Sequence, residues 1–417
     1  MNRVTDVLFR NFAMLEPRDG ALRSGYQLLV RGRHIAELCQ GVINVAGTRV
    51  VDLGGRTLMP GLIDCHVHIM VPAMGGRISA YAKVLPSFQA AVAGDVLRGI
   101  LMRGFTTVRD AAGADAGHRE AVERGLFTGP RLFVCGRAIS QTGGHGDARS
   151  PADLASPCAC VHLVGGLCRI ADGVTEVRQA VRDEIRLGAD QIKVMAGGGI
   201  ASPADPIDQL QYSDDELAAA VDEAGRSQTY VLAHAYTAEA VKRSVRAGAR
   251  TIEHGNMIDE QAAAMMARAG AFLVPTLVTY RAHERLGDAI PRAPGEMENI
   301  RTVLNAGLRS LEIAQRAGVK MAFGTDCFRT RTEFQTEEFL IWAEVLDAAD
   351  VIRGATTVAA EVLRMEGRLG TLAPGALADL IAVDGDPLGD LGLFQDEGAH
   401  IPVIMKDGRF NKNTIEN

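Results

Sequence analysis

Eight short apolar runs, each followed by a longer stretch with helical periodicity, constrain this chain more than any other feature of its sequence. The runs are Gly61–Asp64, Thr106–Val108, Leu132–Val134, Gln191–Met195, Tyr230–Ala233, Thr251–Glu253, Ala271–Val274 and Met321–Gly324. They are continuously apolar or β-branched rather than alternating, the pattern of parallel strands buried on both faces. The intervening stretches carry helix signals. Ser213-Asp214-Asp215-Glu216 is a capping box, Thr237 opens a second helix, and the stretch Val174–Leu187 stops at Gly188. Several helices close on glycine just before the next run, as at Gly104, Gly248, Gly270 and Gly318. Eight strand–helix units over about 300 residues predict an α/β fold, a (β/α)8 TIM-like barrel across residues 59–370.

The two chain ends read differently. Residues 1–58 and 371–417 hold short strands with glycine-rich turns: Leu28–Ile35, Leu380–Gly385 and Val403–Arg409. Their Asp-Gly pairs are hairpin signals. Neither end has enough apolar residues for a core of its own, so the two are expected to join into one small, discontinuous β-sandwich domain.

A formal charge of -7 and a pI near 5.8 leave no basic footprint, so neither nucleic acid nor an anionic membrane is an expected partner. No apolar run approaches the roughly 18–20 residues that span a bilayer. Asp6, Arg10 and Asn11 interrupt the first residues where a secretory signal would be apolar. Seven scattered cysteines suit a reducing compartment better than a disulfide framework, and a cytoplasmic location is expected.

The chemistry is concentrated at the ends of the runs. His66 and His68 are two apart on one strand and face the same side. His234, His254 and Asp326 end three further runs, and in a barrel of this kind the C-terminal strand ends converge on one site. Imidazoles with a carboxylate in that arrangement suit zinc or a similar divalent ion. Lys193 lies inside an apolar run, where an unpaired ammonium is costly, so it either snorkels, is deprotonated or is modified.

Gly61-Leu62-Ile63-Asp64-Cys65-His66-Val67-His68, with Lys193, His234, His254 and Gly324-Thr325-Asp326, resembles the binuclear metal pattern of the amidohydrolase superfamily. Gln141–Asp147, Gln191-Ile192-Lys193, Ala201-Ser202-Pro203, Leu232–Thr237 and Thr251–Asn256 resemble its branch of Xaa-Pro dipeptidases (prolidases) and metallocarboxypeptidases. The resemblance implies two divalent ions, zinc foremost. His66, His68 and Asp326 would hold the more buried ion, His234 and His254 the more exposed one, and a carbamylated Lys193 would bridge them. It further implies a shared hydroxide attacking an amide carbonyl, Asp326 as general acid and base, and His145 and Tyr236 as donors to the carbonyl and developing oxyanion. Tyr236 could instead cap the following helix.

The implied activity is cleavage of the C-terminal amide of dipeptides or N-acyl amino acids, within the peptidase or amide-hydrolase classes. The substrate would be a small molecule or dipeptide and the enzyme a homo-oligomer. Two other readings are an imidazolonepropionase-like cyclic-amide hydrolase or deaminase, and a non-catalytic metal-binding scaffold. Mononuclear deaminases of the superfamily place an acid three residues after the strand-five histidine; here that residue is Thr237. Weaker signals are the cluster Cys158, Cys160, His162 and Cys168, read as a cysteine-rich loop; Arg329 and Arg331, read as solvated; and Gly197-Gly198-Gly199, read as room beside the metal site. Asp147, Asp205 and Asp208 remain possible partners for a cationic substrate side chain.

Overall fold

A computed structural model describes residues 6–71, 84–149, 166–200, 205–287, 296–327 and 332–415. In chain order the N-terminal strands are β1 (Val7–Arg10), β2 (Ala13–Glu16), β3 (Ala21–Arg23), β4 (Tyr26–Arg31), β5 (His34–Gln40), β6 (Arg49–Asp52) and β7 (Thr57–Pro60). The central strands are β8 (Leu62–Val67), β9 (Phe105–Asp110), β10 (Arg131–Phe133), β11 (Ala138–Ser140), β12 (Cys168–Ile170), β13 (Ile192–Met195), β14 (Val231–Thr237), β15 (Thr251–Met257) and β16 (Phe272–Val274). The C-terminal stretch adds β17 (Leu380–Val383), β18 (Val403–Lys406) and β19 (Arg409–Asn413).

The chain ends form two sheets, ordered β5-β4-β1-β6 and β19-β18-β17-β7-β2-β3. The second mixes strands from both ends, with β17 antiparallel to β7. Phe9, Leu28, Val51, Leu58, Leu380 and Val403 share one buried core between the sheets. Asp407 and Gly408, both at positive φ (50° and 70°), close the β18–β19 hairpin as a two-residue turn demands. The other pair, Asp384-Gly385, makes no hairpin: short 3-10 segments at Leu391–Phe394 and Asp396–Gly398 follow it before β18.

The central strands form two parallel sheets, β10-β9-β8 and β12-β11-β13-β14-β15-β16. Their helices carry the expected caps. Ser213 and Glu216 form a reciprocal capping box on the helix Asp214–Arg226, and Thr237 accepts from Ala240 N–H at the start of Ala238–Ala247. Gly248 and Gly270 end two helices in the left-handed region.

Two details depart from the sequence reading. The run Met321–Gly324 does not form a laddered strand. It bridges β16 at Met321 and bonds β8 through Cys65 N–H to Phe323 O, but Phe323 N–H turns away to Gly354 O, which interrupts the ladder. The structure also inserts β11 and β12, three residues each and too short to register as apolar runs. The loop bearing His145 follows β11. Among the described residues no helix is long and apolar enough to cross a membrane.

Candidate metal centre and active site

His66 lies on β8, His68 just past its end, Lys193 on β13, His234 on β14 and His254 on β15, and Asp326 follows the Met321–Gly324 segment. All six line one pocket. The backbone places Asp326: its N–H and that of Thr325 both donate to His66 O, at 2.8 and 3.3 Å. Gly324 permits that approach, because a Cβ there would sit 2.3 Å from Val274 Cγ1 and 2.9 Å from His66 Cβ. Asp326 and His254 both have positive φ (50° and 73°), which is uncommon outside glycine and marks strain held at the strand ends. At His254 the bend has a use. Strand alternation would send residues 253 and 254 to opposite faces, yet both reach His66: Glu253 by a hydrogen bond and His254 by its ring, 5.1 Å between centroids.

His68 Nε2 lies 3.2 Å and His66 Nε2 3.6 Å from Asp326 Oδ1. The ligand atoms of these three residues all fall within 4.8 Å of one another, close enough to share one ion. His234 and His254 continue the cluster, with ring centroids 4.7 Å apart.

The donor set fits a divalent metal. Each histidine has one ring nitrogen engaged away from the cluster. His66 Nδ1 meets Glu253 Oε2 at 2.6 Å, His68 Nδ1 meets Ala112 O at 3.0 Å, His234 Nε2 meets Gly198 O at 3.2 Å and His254 Nδ1 meets Thr276 Oγ1 at 2.8 Å. Partners of this kind fix the tautomer and leave the other nitrogen to ligate. Of the nitrogens so left, His66 Nε2 is buried without a hydrogen-bond partner, and such an orphan needs an explanation. Burial, with Lys193 nearby, holds His66 well below the usual imidazole range. Burial and neighbouring histidines do the same to His234 and His254, so all three are neutral, the form that ligates. For His68 burial is outweighed by the Asp326 carboxylate, and its pKa rises. Lys193 is 1% exposed, and burial lowers its pKa against the pull of Glu253 and Asp326.

His145 and Tyr236 line the same pocket. The His145 ring stacks on His234 with centroids 4.3 Å apart, and its Nδ1 lies 3.0 Å from Asp205 Oδ2. Tyr236 does not cap the helix, since Thr237 does. Its ring stacks on His254 and its hydroxyl lies 2.8 Å from that of Tyr280.

Several supporting residues were not singled out from sequence. Glu253 is completely buried and paired with Arg109, whose Nη2 lies 2.9 and 3.0 Å from its two oxygens. Asp64, raised to about 6 chiefly by burial, accepts from His66 N–H, Thr325 Oγ1 and Gln335 Nε2. Of the carboxylates considered for a cationic substrate, Asp147 pairs with Arg149, Asp205 is spent on His145, and Asp208 is exposed. Gly197–Gly199 does flank the centre: Gly198 O meets His234, and a Cβ on Gly199 would fall 2.0 Å from the His145 ring. Cys168 lines the pocket, while Cys158, Cys160, His162, Arg329, Arg331 and Ala201-Ser202-Pro203 lie outside the described residues.

The model of the amidohydrolase family matches residues 57–411. This chain belongs to that family. The ochratoxinase of Aspergillus niger is 32% identical over 373 residues, which cover 85% of this chain and 75% of the relative. A crystal structure of a prolidase complexed with N-methylphosphonate-L-proline is 45% identical, with a TM-score of 0.95 over 98% of this amidohydrolase and 100% of the other chain. A Xaa-Pro dipeptidase with methionine bound in its active site is 30% identical, with a TM-score of 0.88 over 98% and 100%. The amidohydrolase sits with the prolidase branch of its superfamily.

Proposed function

We propose that this amidohydrolase is a binuclear metal-dependent hydrolase that releases the C-terminal amino acid from dipeptides or N-acyl amino acids. The observation that carries the reading is the buried, partnerless His66 Nε2, facing Asp326 Oδ1 and His68 within one group of ligand atoms and ringed by histidines whose other nitrogens are engaged. The similarity to a prolidase solved with N-methylphosphonate-L-proline supports the class of bond.

His66, His68 and Asp326 would hold one ion and His234 and His254 a second, with carbamylated Lys193 between them. Zinc is the expected metal. When bound, such ions supply an activated water near neutral pH and polarise the carbonyl. The chain's own residues do the rest. Burial lowers the Lys193 pKa, so its amine is more readily neutral, as reaction with carbon dioxide requires. Asp326 takes a proton from the attacking water and returns it to the leaving amine. His145 and Tyr236 donate hydrogen bonds to the carbonyl oxygen as charge builds on it. Val71, Leu167, Met195 and Ile200 make much of the pocket wall apolar, which favours apolar groups flanking the scissile amide.

The deaminase reading lacks its acid, because Thr237 caps the helix Ala238–Ala247. On the reading favoured here, the central strands close into a (β/α)8 barrel over residues 59–370, with residues 1–58 and 371–417 as the sandwich domain. The protein acts in the cytoplasm as a homo-oligomer on a small molecule or dipeptide, without nucleic acid or membrane.

The test is a panel of dipeptides and N-acyl amino acids incubated with the zinc-reconstituted protein, scored for the free amino acid released. Release from substrates with proline or another apolar C-terminal residue is expected, abolished by a chelator and restored by zinc, with two ions per chain by elemental analysis. No release from any C-terminal residue rejects the activity, and a protein that retains no metal supports the scaffold instead.

A further inference from the structure

Tyr280 lies on the helix Val278–Leu286, is 1% exposed, and joins the two sides of the centre. Its hydroxyl is 2.8 Å from Tyr236 Oη and 3.4 Å from His254 Nδ1. Thr276, at a φ of 52° that a β-branched residue rarely adopts, lies 2.8 Å from His254 Nδ1 and also hydrogen-bonds the Tyr280 hydroxyl. We propose that Tyr280 is a positioning residue that, with Thr276, fixes Tyr236 as a hydrogen-bond donor facing the substrate.

Proton direction decides this role, which rests on the reading that Tyr236 addresses the scissile carbonyl. With Nε2 of His254 turned to the metal ligands, the ring proton sits on Nδ1, so His254 can only donate on that side. Thr276 Oγ1 and Tyr280 Oη must then accept. Thr276 passes its own proton to Tyr280, and Tyr280 has one proton left to place, with Tyr236 Oη as its near acceptor. Tyr236 therefore accepts from within the protein, and its own proton points into the pocket it lines. The reverse arrangement, Tyr236 donating to Tyr280, makes Thr276 Oγ1 accept from both His254 and Tyr280, and among the described residues its own proton then has no further acceptor. Head-to-tail order thus runs from His254 to Tyr236, and the donor is set before substrate arrives, at no cost in reorientation.

The test uses the full-length, zinc-loaded protein labelled with 13Cζ-tyrosine; there are six tyrosines, and Tyr236→Phe assigns the line of interest. Tyr280→Phe, which removes only the hydroxyl, shifts the Tyr236 resonance. Thr276→Val moves it in the same direction, and Thr276→Ser leaves it in place. On the substrate found by the amide panel, Tyr280→Phe lowers kcat by at least about tenfold, with KM and metal content unchanged. In a Tyr236→Phe background it costs nothing further. A Tyr236 line unmoved by Tyr280→Phe, or losses that multiply in the double variant, overturns the relay. Should Tyr280→Phe fail to fold, Thr276→Val against Thr276→Ser decides by the same line. If the wild-type protein hydrolyses no amide, the proposed activity falls, while the resonance still decides the relay.

Discussion

Glu253 Oε2 lies 2.6 Å from His66 Nδ1, and both oxygens of the same carboxylate are gripped by Arg109. A buried anion thus orients a ligand histidine and has its own charge balanced by a buried guanidinium. Glu253→Gln offers His66 one acceptor oxygen but sets an amide NH2 against Arg109. Metal affinity falls about 10–100-fold, read by competition with a chromophoric chelator. Wild-type affinity in this variant would show that the carboxylate does not tune the ligand. Arg109→Met leaves the carboxylate buried without its partner and costs about 3–5 kcal/mol, read from the urea midpoint.

Lys193 sets a pH dependence in the metal-free protein. Burial lowers its folded-state pKa below the usual lysine value, so in the window between the two the unfolded chain binds the extra proton. Stability therefore rises with pH through that window, and below it the penalty is full. Lys193→Met removes the penalty. In carbon dioxide-free buffer without metal, Lys193→Met unfolds at higher urea than wild type at pH 7, and the gap narrows as pH approaches about 10.5. A gap that stays constant or widens with pH contradicts the buried-amine account.

What the sequence made legible divides along a physical line. His66, His68, His234 and His254 could be placed because strand ends in a parallel α/β fold converge, and Lys193 because a charge inside an apolar strand needs a reason. The same reasoning extends to Arg109 on β9 and Glu253 on β15, both charges in continuous apolar strands. Their meaning lies in each other, across 144 residues of chain. Asp205 and Tyr280 were opaque because their partners, His145 and Tyr236, are 60 and 44 residues away and nothing local marks the pairing. β11 and β12 escaped because three residues with polar members carry no periodicity. Met321–Gly324 was legible as a buried run but not as an interrupted ladder, since the diversion of Phe323 N–H to Gly354 O is a tertiary event.

Gly199 offers a steric test of His145. Its φ is not in the left-handed region, so alanine introduces no backbone strain there, only a methyl 2.0–2.1 Å from the imidazole atoms. The ring must leave its place between His234 and Asp205. Gly199→Ala lowers kcat/KM by about 10²-fold with metal content preserved. Gly225→Ala is the matched control: it lies in the helix Asp214–Arg226 with nothing within 4 Å of its added methyl, and it stabilises the fold by about 0.5–1 kcal/mol. Equal activity in both variants would remove His145 from the reaction.

Asp205 determines which nitrogen of His145 faces the substrate. Its Oδ2 lies 3.0 Å from His145 Nδ1 and 2.9 Å from Gly199 N–H, and the side chain is completely buried. A carboxylate there can only accept, so the ring proton is held on Nδ1. In the neutral ring Nε2 is then an acceptor, and His145 donates to a carbonyl oxygen only as the imidazolium. Asp205→Asn removes the carboxylate charge. Oδ2 serves both donors, so an amide oxygen in its place keeps both bonds, puts the NH2 where Oδ1 stood and leaves the proton on Nδ1. The variant keeps the ring and its tautomer in place and differs from wild type by one negative charge. The expected result is a fall in kcat of about 10²–10³-fold, the size of losing one oxyanion donor, with metal content and thermal midpoint near wild type. Nitrogen-15 spectra of the His145 ring supply the second measurement, with the neutral ring of Asp205→Asn still protonated on Nδ1. Unchanged kcat with the proton still on Nδ1 would mean that the Asp205 charge plays no part in how His145 meets the transition state.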